Sequence, residues 1–238
     1  AFSFTGSVPV GKKLASLAGV HMKPAIMELG GHSPVIVCDD ADPVATAKLG
    51  IAAKYRNAGQ ICTAPTRFMV HESIYDRFVE TFVAGAQAIK IGDGQTPGVQ
   101  MGPLANVRRL ESLQQLIANA AECGAKLRAG GARIGNRGFF LEPTVITDAP
   151  GDADIMNVEP FGPVALISRF GKLDEAIESA NGLAYGLYSY AFTKSAATAQ
   201  SLALRVESGM MSINHFGTSE PDTTFGGIKE SGLDRKST

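Results

Sequence analysis

Runs of consecutive apolar residues alternate along the chain with segments whose apolar positions recur every three to four residues. This alternation predicts an α/β architecture, a mostly parallel sheet flanked by helices. Residues 34–38 read as a buried strand, and Asp42-Pro43 supplies an N-cap and a first-turn proline for a helix over about 44–55. Residues 67–70 repeat the strand pattern. Ser73, with Asp76 three residues on, has the spacing of a capping box and predicts a helix running to about 89. A helix over 104–121 follows, then turns at Gly130-Gly131 and Arg137-Gly138 around a short hairpin. A strand is predicted over 140–146, where Pro143 suggests a sheet edge or a strand end. Strands over 164–170, 187–192 and 210–214 then enclose helices over 173–180, stopped by Asn181-Gly182, and about 195–206. From Phe225 the tail is glycine-rich and reads as irregular. No internal repeat, low-complexity tract or linker interrupts the series.

Composition narrows the class. With 238 residues, 45% hydrophobic and 19% charged, the chain carries enough apolar material for a substantial core. No apolar run approaches the roughly 18 residues of a membrane span, and the start lacks the basic region of a secretory signal. A net charge of −1 with acids and bases interspersed offers no basic face for nucleic acid. Three cysteines, Cys38, Cys62 and Cys123, form no CxxC pair and are odd in number, so no disulfide framework is indicated. The four histidines show no metal-ligand spacing. Together these features predict a cytoplasmic protein with no metal, membrane or nucleic-acid partner. Ala1, with no initiator methionine and followed closely by Phe2 and Phe4, suggests a start inside a longer protein.

Two residues are candidates for chemistry. Cys62 follows the glycine-containing stretch Asn57-Ala58-Gly59-Gln60-Ile61, a loop that can expose the sulfur and surround it with backbone N–H donors favouring a thiolate and an oxyanion. Alone, it reads as a small buried hydrophobe. Glu28 lies in Met27-Glu28-Leu29-Gly30-Gly31, an acid among apolar residues beside a diglycine that permits close approach of a ligand. Alone, it reads as a surface glutamate ending a strand. As a pair they match a need: sulfur attack on a carbonyl, followed by release of the acyl group to water, takes one nucleophile and one base.

Five motifs in order carry a resemblance. Phe4-Thr5-Gly6-Ser7, Glu28-Leu29-Gly30-Gly31, Gly59-Gln60-x-Cys62, Glu159-Pro160-Phe161-Gly162-Pro163 and Phe225-Gly226-Gly227-x-Lys229-x-Ser231-Gly232 resemble the ordered motifs of the aldehyde dehydrogenase superfamily, over essentially the whole chain. The resemblance implies a C-terminal catalytic portion that oxidises an aldehyde to a carboxylic acid with NAD or NADP. Cys62 would form a thiohemiacetal, hydride would pass to the nicotinamide, and water activated by Glu28 would hydrolyse the thioester. It also implies a cofactor-binding set of Gly6, Ser7, Leu29, Glu159 and Phe161. Gly6 and Ser7 would lie near the pyrophosphate at a helix start, Glu159 on the nicotinamide ribose and Phe161 beside the ring. Asn214 aligns with a family asparagine but fits an ordinary turn equally well and stays outside the catalytic set. Cys38 and Cys123 read as structural.

By the same resemblance, residues 1–29 are a remnant of the dinucleotide-binding domain and residues 30–238 the cysteine-bearing catalytic domain. The family's main cofactor segment precedes Phe4, and with it the asparagine that completes the oxyanion hole. The chain alone is therefore expected to be inactive, and the parent to be a homo-oligomer acting on a small aldehyde. The stretch Asn214-His215-Phe216-Gly217 with Phe225-Gly226-Gly227 is most similar to the succinate-semialdehyde dehydrogenase-like branch. Two departures stand out: Asn157-Val158 where a second acid is usual, and Leu233-Asp234-Arg235-Lys236 where a glycine-rich, acidic continuation is usual, which puts the packing of the tail in question. The chain also stops before the family's final strand, leaving an expected open edge. The alternatives are a thiol-dependent esterase or acyl-transfer enzyme, and a non-catalytic oligomerisation fragment.

Overall fold

A computed structural model describes residues 1–217 and 223–236. In chain order the elements are β1 (Phe2–Thr5), α1 (Val8–Val20), β2 (Ala25–Glu28), β3 (Pro34–Val37), α2 (Pro43–Tyr55), β4 (Arg67–His71), α3 (Tyr75–Gln87) and α4 (Val107–Glu122). These are followed by β5 (Lys126–Ala129), β6 (Thr144–Thr147), α5 (Asp154–Asn157), β7 (Val164–Phe170), α6 (Leu173–Asn181), β8 (Tyr185–Gly186) and β9 (Tyr188–Phe192). The last are α7 (Ala196–Arg205), β10 (Met210–Ile213), β11 (Ile228–Lys229) and β12 (Gly232–Leu233).

The main sheet has the order β10-β9-β3-β4-β7-β6-β5, and every pairing is parallel except β5 with β6. It is the mostly parallel, helix-flanked sheet that the apolar pattern predicts. Successive strand residues point to opposite faces, so Val35, Val37, Phe68 and Val70 pack on one side with Phe78, Phe82, Leu110 and Leu113. Ile36 and Met69 face the other side, against Ile177 and Leu202. Strands covered on both faces read as continuous apolar runs, which is why β3, β4 and β7 stand out in the sequence.

A second, three-stranded sheet has the order β1-β2-β12. β1 and β2 run parallel, and β12 comes back from the far end of the chain to pair antiparallel with β2, placing Gly232 opposite Glu28. The tail that reads as irregular thus supplies two short strands, and its packing is fixed: Leu29 N–H donates to the Ser231 carbonyl at 2.9 Å. Ser231 Oγ donates to the Gly30 carbonyl at 2.7 Å and accepts the Gly186 N–H at 2.9 Å.

Other expectations shift. Asp42 caps α2 as its spacing predicts, accepting the N–H groups of Val44 and Ala45 at 2.9 and 3.0 Å. Ser73 caps nothing. It sits inside a short 3₁₀ turn whose N–H is taken by the His71 ring, and α3 begins only at Tyr75. The helix expected from 104 starts after Asn106, whose side chain accepts the Arg109 N–H. Of the two readings of Pro143 the strand end holds and the sheet edge does not. It immediately precedes β6, an interior strand, where no ladder N–H is lost.

Candidate active site

The helix α2 ends at Tyr55 and the chain then makes a tight turn in which Asn57, Ala58 and Gly59 all have positive φ, at 52°, 52° and 68°. This left-handed path is costly for Ala58 and natural for Gly59. Gly59 is also a steric requirement, because a Cβ there would stand 2.1 Å from the Gly162 carbonyl oxygen. The turn is therefore pressed against the segment that carries Glu159 and Phe161. Gln60 pins it from another side, its Oε1 accepting the Ala105 N–H at 2.8 Å. Beyond Cys62, Tyr190 Oη donates to the Thr63 carbonyl at 2.7 Å, and a Cβ on Gly31 would lie 2.8 Å from the Cys62 carbonyl. Backbone on both sides of Cys62 is held, and its half-buried thiol faces a cleft.

That cleft, about 470 Å³, is lined by Cys62, Glu28, Gly6, Ser7, Leu29, Glu159 and Phe161, the full set that the sequence singles out, with Thr5, Gly30, Gln60, Ile61 and Arg109 between them. Glu28 ends β2 but is buried, 4% exposed, so the surface reading of this residue does not apply. Its Oε2 lies 3.5 Å from Lys236 Nζ, and its Oε1 is buried with no hydrogen-bond partner among the described residues. The thiol of Cys62 is pushed up to about 12 by burial first, then by the charge of Glu28 and a side-chain hydrogen bond to it, and then by the charge of Glu159, with Lys236 partly opposing them. The expected thiolate character is thus not present here: the carboxylates and the desolvation outweigh what nearby cations supply.

Glu159 follows the short helix α5, and its Oε1 accepts the Gly31 N–H at 3.2 Å. Burial pushes this carboxyl up to about 7, against the lowering effect of the Gly31 N–H, Arg109 and Lys54. Phe161 has φ 43°, and Arg109, whose Nη1 donates to the Pro160 carbonyl at 3.1 Å, lies 5.7 Å above its ring. In the same cleft, Ser7 is the N-cap of α1 yet makes no side-chain capping bond, so the first-turn N–H groups have no side-chain cap. A helix start without a side-chain cap, a carboxylate and an aromatic ring are groups of the kinds that bind phosphate, ribose hydroxyls and a nicotinamide ring.

Sequence reasoning misses several neighbours. Lys54 stands on the inward face of α2, 1% exposed, and burial drives its amine down to about 7. A lysine within an apolar helix face is the signal that marks it. Arg109 has no comparable signal, since helix surfaces are full of arginines. A second cavity of about 380 Å³ shares Ile61 with the first and is lined by Arg56, Ala52, Tyr190, His215 and Phe216, among others. Asn214 lines it too, but both ends of its amide are taken by Thr193, with N–H···O distances of 2.9 Å, which makes it a turn residue at φ 64°. Cys38 is buried at the end of β3 and Cys123 exposed at the end of α4.

A mostly parallel α/β sheet here gathers a loop-borne thiol, a buried carboxylate and a helix start without a side-chain cap around one cleft. The chain belongs to the aldehyde dehydrogenase family, whose model matches residues 1–238. It is 47% identical over 235 residues to the putative 4-(hydroxymethyl)benzenesulfonate dehydrogenase TsaD2 of Comamonas testosteroni, covering 99% of this chain and 49% of that protein. It is 41% identical over 236 residues to the NADP(+) succinate-semialdehyde dehydrogenase of Mycobacterium avium strain 104, covering 99% and 50%. Among solved structures, the lactaldehyde dehydrogenase from Escherichia coli superposes with a TM-score of 0.95 at 34% identity, over 98% of this chain and 49% of that one. The 3,6-anhydro-L-galactose dehydrogenase in complex with NAP gives the same TM-score, 0.95, over 98% and 50%. The chain thus spans about half the length of the relatives it matches.

Proposed function

We propose that this chain is the thiol-bearing half of an aldehyde dehydrogenase that oxidises an anionic aldehyde to its carboxylic acid with NAD or NADP. The observation that carries the reading is the convergence of Cys62, Glu28, Glu159, Phe161, Leu29, Gly6 and Ser7 on one cleft. Residues 1–29 belong, in this reading, to the cofactor-binding domain and residues 30–238 to the catalytic domain; β1 and β2 lie outside the main sheet, and β12 of the second portion pairs with β2.

Cys62 Sγ, once its proton is removed, attacks the aldehyde carbon and forms a thiohemiacetal. Glu28 is the base whose unpartnered Oε1 can take a proton first from the thiol and, after passing that proton to solvent, again from the water that cleaves the thioester. Glu159, Phe161, Leu29, Gly6 and Ser7 hold the cofactor, which when bound accepts the hydride. Because the resting thiol is protonated at neutral pH, activation waits on proton transfer to Glu28 rather than on a standing thiolate.

The anionic substrate class rests on the second cavity. It shares Ile61 with the cleft that holds Cys62, and Arg56 and His215 are among its lining residues. A guanidinium there suits a carboxylate or sulfonate at the far end of the aldehyde. The names of the relatives, a succinate semialdehyde and a benzenesulfonate, share that anionic end.

The test is NAD(P)H formation by the full-length parent and by this chain, over succinate semialdehyde and uncharged aldehydes of equal length. Cys62→Ala should lose at least about 10⁴-fold of the parent's rate. Arg56→Ala should raise KM about tenfold or more for the anionic aldehyde and little for the uncharged one. The chain alone should show no turnover. Undiminished activity in Cys62→Ala would sink the mechanism, and equal KM changes for both aldehydes would remove the anionic-substrate reading.

A further inference from the structure

Lys236 comes into the site from the end of the chain and does so along a fixed path. Four residues earlier, β12 is locked to β2, and at Lys236 itself the backbone pairs with Phe225 in both directions, at 2.8 and 2.9 Å. Its ammonium rides over the Phe225 ring at 5.0 Å from the centroid and ends 3.5 Å from Glu28 Oε2. The Glu28 side chain is 5% exposed, so this contact closes the solvent side of a buried carboxylate.

The charged and titratable groups around Glu28 can be named from each element packed on it. Cys62 comes from the loop after α2, Glu159 from the loop after α5, and Lys236 from the tail, while the neighbouring β1 residue Thr5 is uncharged. Without Lys236 the thiol would face two carboxylates and no cation of comparable closeness. Arg109 and Lys54 act on Glu159.

We propose that Lys236 is a positioning residue for the reaction: its ammonium anchors Glu28 through Oε2, leaves Oε1 free to accept a proton, and offsets the carboxylate's charge at Cys62. The tail strand is then part of the active site rather than packing around it. This inference rests on Glu28 and Cys62 acting as base and nucleophile. Its readout is thiol chemistry that needs neither cofactor nor turnover, so the two can fail separately.

The experiment follows alkylation of Cys62 by iodoacetamide in this chain from pH 7 to 10, resolved from Cys38 and Cys123 by peptide mass spectrometry. Lys236→Ala should slow Cys62 alkylation about two- to fivefold at a given pH, the scale of one partly exposed charge contact. The whole rate–pH curve should move to higher pH. Lys236→Arg should restore the wild-type curve, and 1 M salt should shrink the difference. In a Glu28→Gln background the Lys236→Ala effect should shrink, because no carboxylate remains to be anchored and only the ammonium's own charge still acts on Cys62. Superimposable curves for Lys236→Ala and wild type, with matching melting temperatures, would overturn the proposal. So would equal slowing in Lys236→Ala and Lys236→Arg, or an undiminished effect in the Glu28→Gln background.

Discussion

The Glu159 carboxylate lies against Gly30 so closely that a methyl group there would stand 2.3 Å from Oε2, while Oε1 takes the N–H of Gly31 at 3.2 Å. The diglycine is thus a seat for a side chain that arrives from a point in the chain more than a hundred residues later. The atom that would be hit is the end of a flexible side chain, so Gly30→Ala should move Glu159 rather than break the fold. We predict a melting temperature close to wild type and NAD(P) binding weakened about 10- to 100-fold in the full-length parent, the equivalent of losing a charge-assisted hydrogen bond. Calorimetric titration measures it, and unchanged affinity would remove Glu159 from the cofactor set.

Gly59 is a different case, because what a Cβ would meet there is backbone. The φ of +68° and the 2.1 Å approach to the Gly162 carbonyl act together, and neither can relax by a rotamer change. Gly59→Ala should cost about 3 kcal/mol or more in urea unfolding. Gly94→Ala, at a glycine with nothing within 4 Å, is the matched control and should stay within about 0.5 kcal/mol of wild type. Equal effects at the two positions would contradict the packing described here.

His32 gives a pH dependence. It is 1% exposed, its Nε2 is 3.0 Å from the Ile155 carbonyl, and its Nδ1 has no partner among the described residues. Burial first, then the charge of Arg67, hold its pKa well below the ordinary value. The folded state therefore keeps His32 neutral while the unfolded chain protonates it near pH 6.5. The contribution is complete above that pH and is lost as pH falls below it, at up to about 1.4 kcal/mol per pH unit. Urea unfolding between pH 7.5 and 5 should show this slope in wild type and a shallower one in His32→Gln. Parallel slopes would show that other groups govern the acid limb.

Most of the architecture is legible in the sequence because β3, β4 and β7 are covered on both faces and advertise themselves as apolar runs. The site is legible because glycines and a lone acid at Glu28–Gly31 and Gly59–Cys62 make little sense as packing alone. β5 is missed for the opposite reason: it is four residues long, Lys126–Ala129, and mostly exposed at the sheet edge, too short for its polar–apolar alternation to stand out. β12 and the Lys236 contact are missed because two-residue strands are specified by their partner, here Glu28, and that partner lies some two hundred positions away. Cys62 looks like a thiolate in its local sequence, surrounded by N–H donors. Only three dimensions bring Glu28 and Glu159 to it and reverse the sign.

The pairing of Gly232 with Glu28 also sets an order of events during synthesis. The ribosome releases the nucleophile and the base long before the strand that lies alongside the base. Until that strand arrives, β2 presents an open edge and Glu28 has no Lys236 beside it. The nascent chain thus carries its reactive sulfur in an unfinished setting, which is completed only once residues 232–236, some two hundred positions after Glu28, have been made.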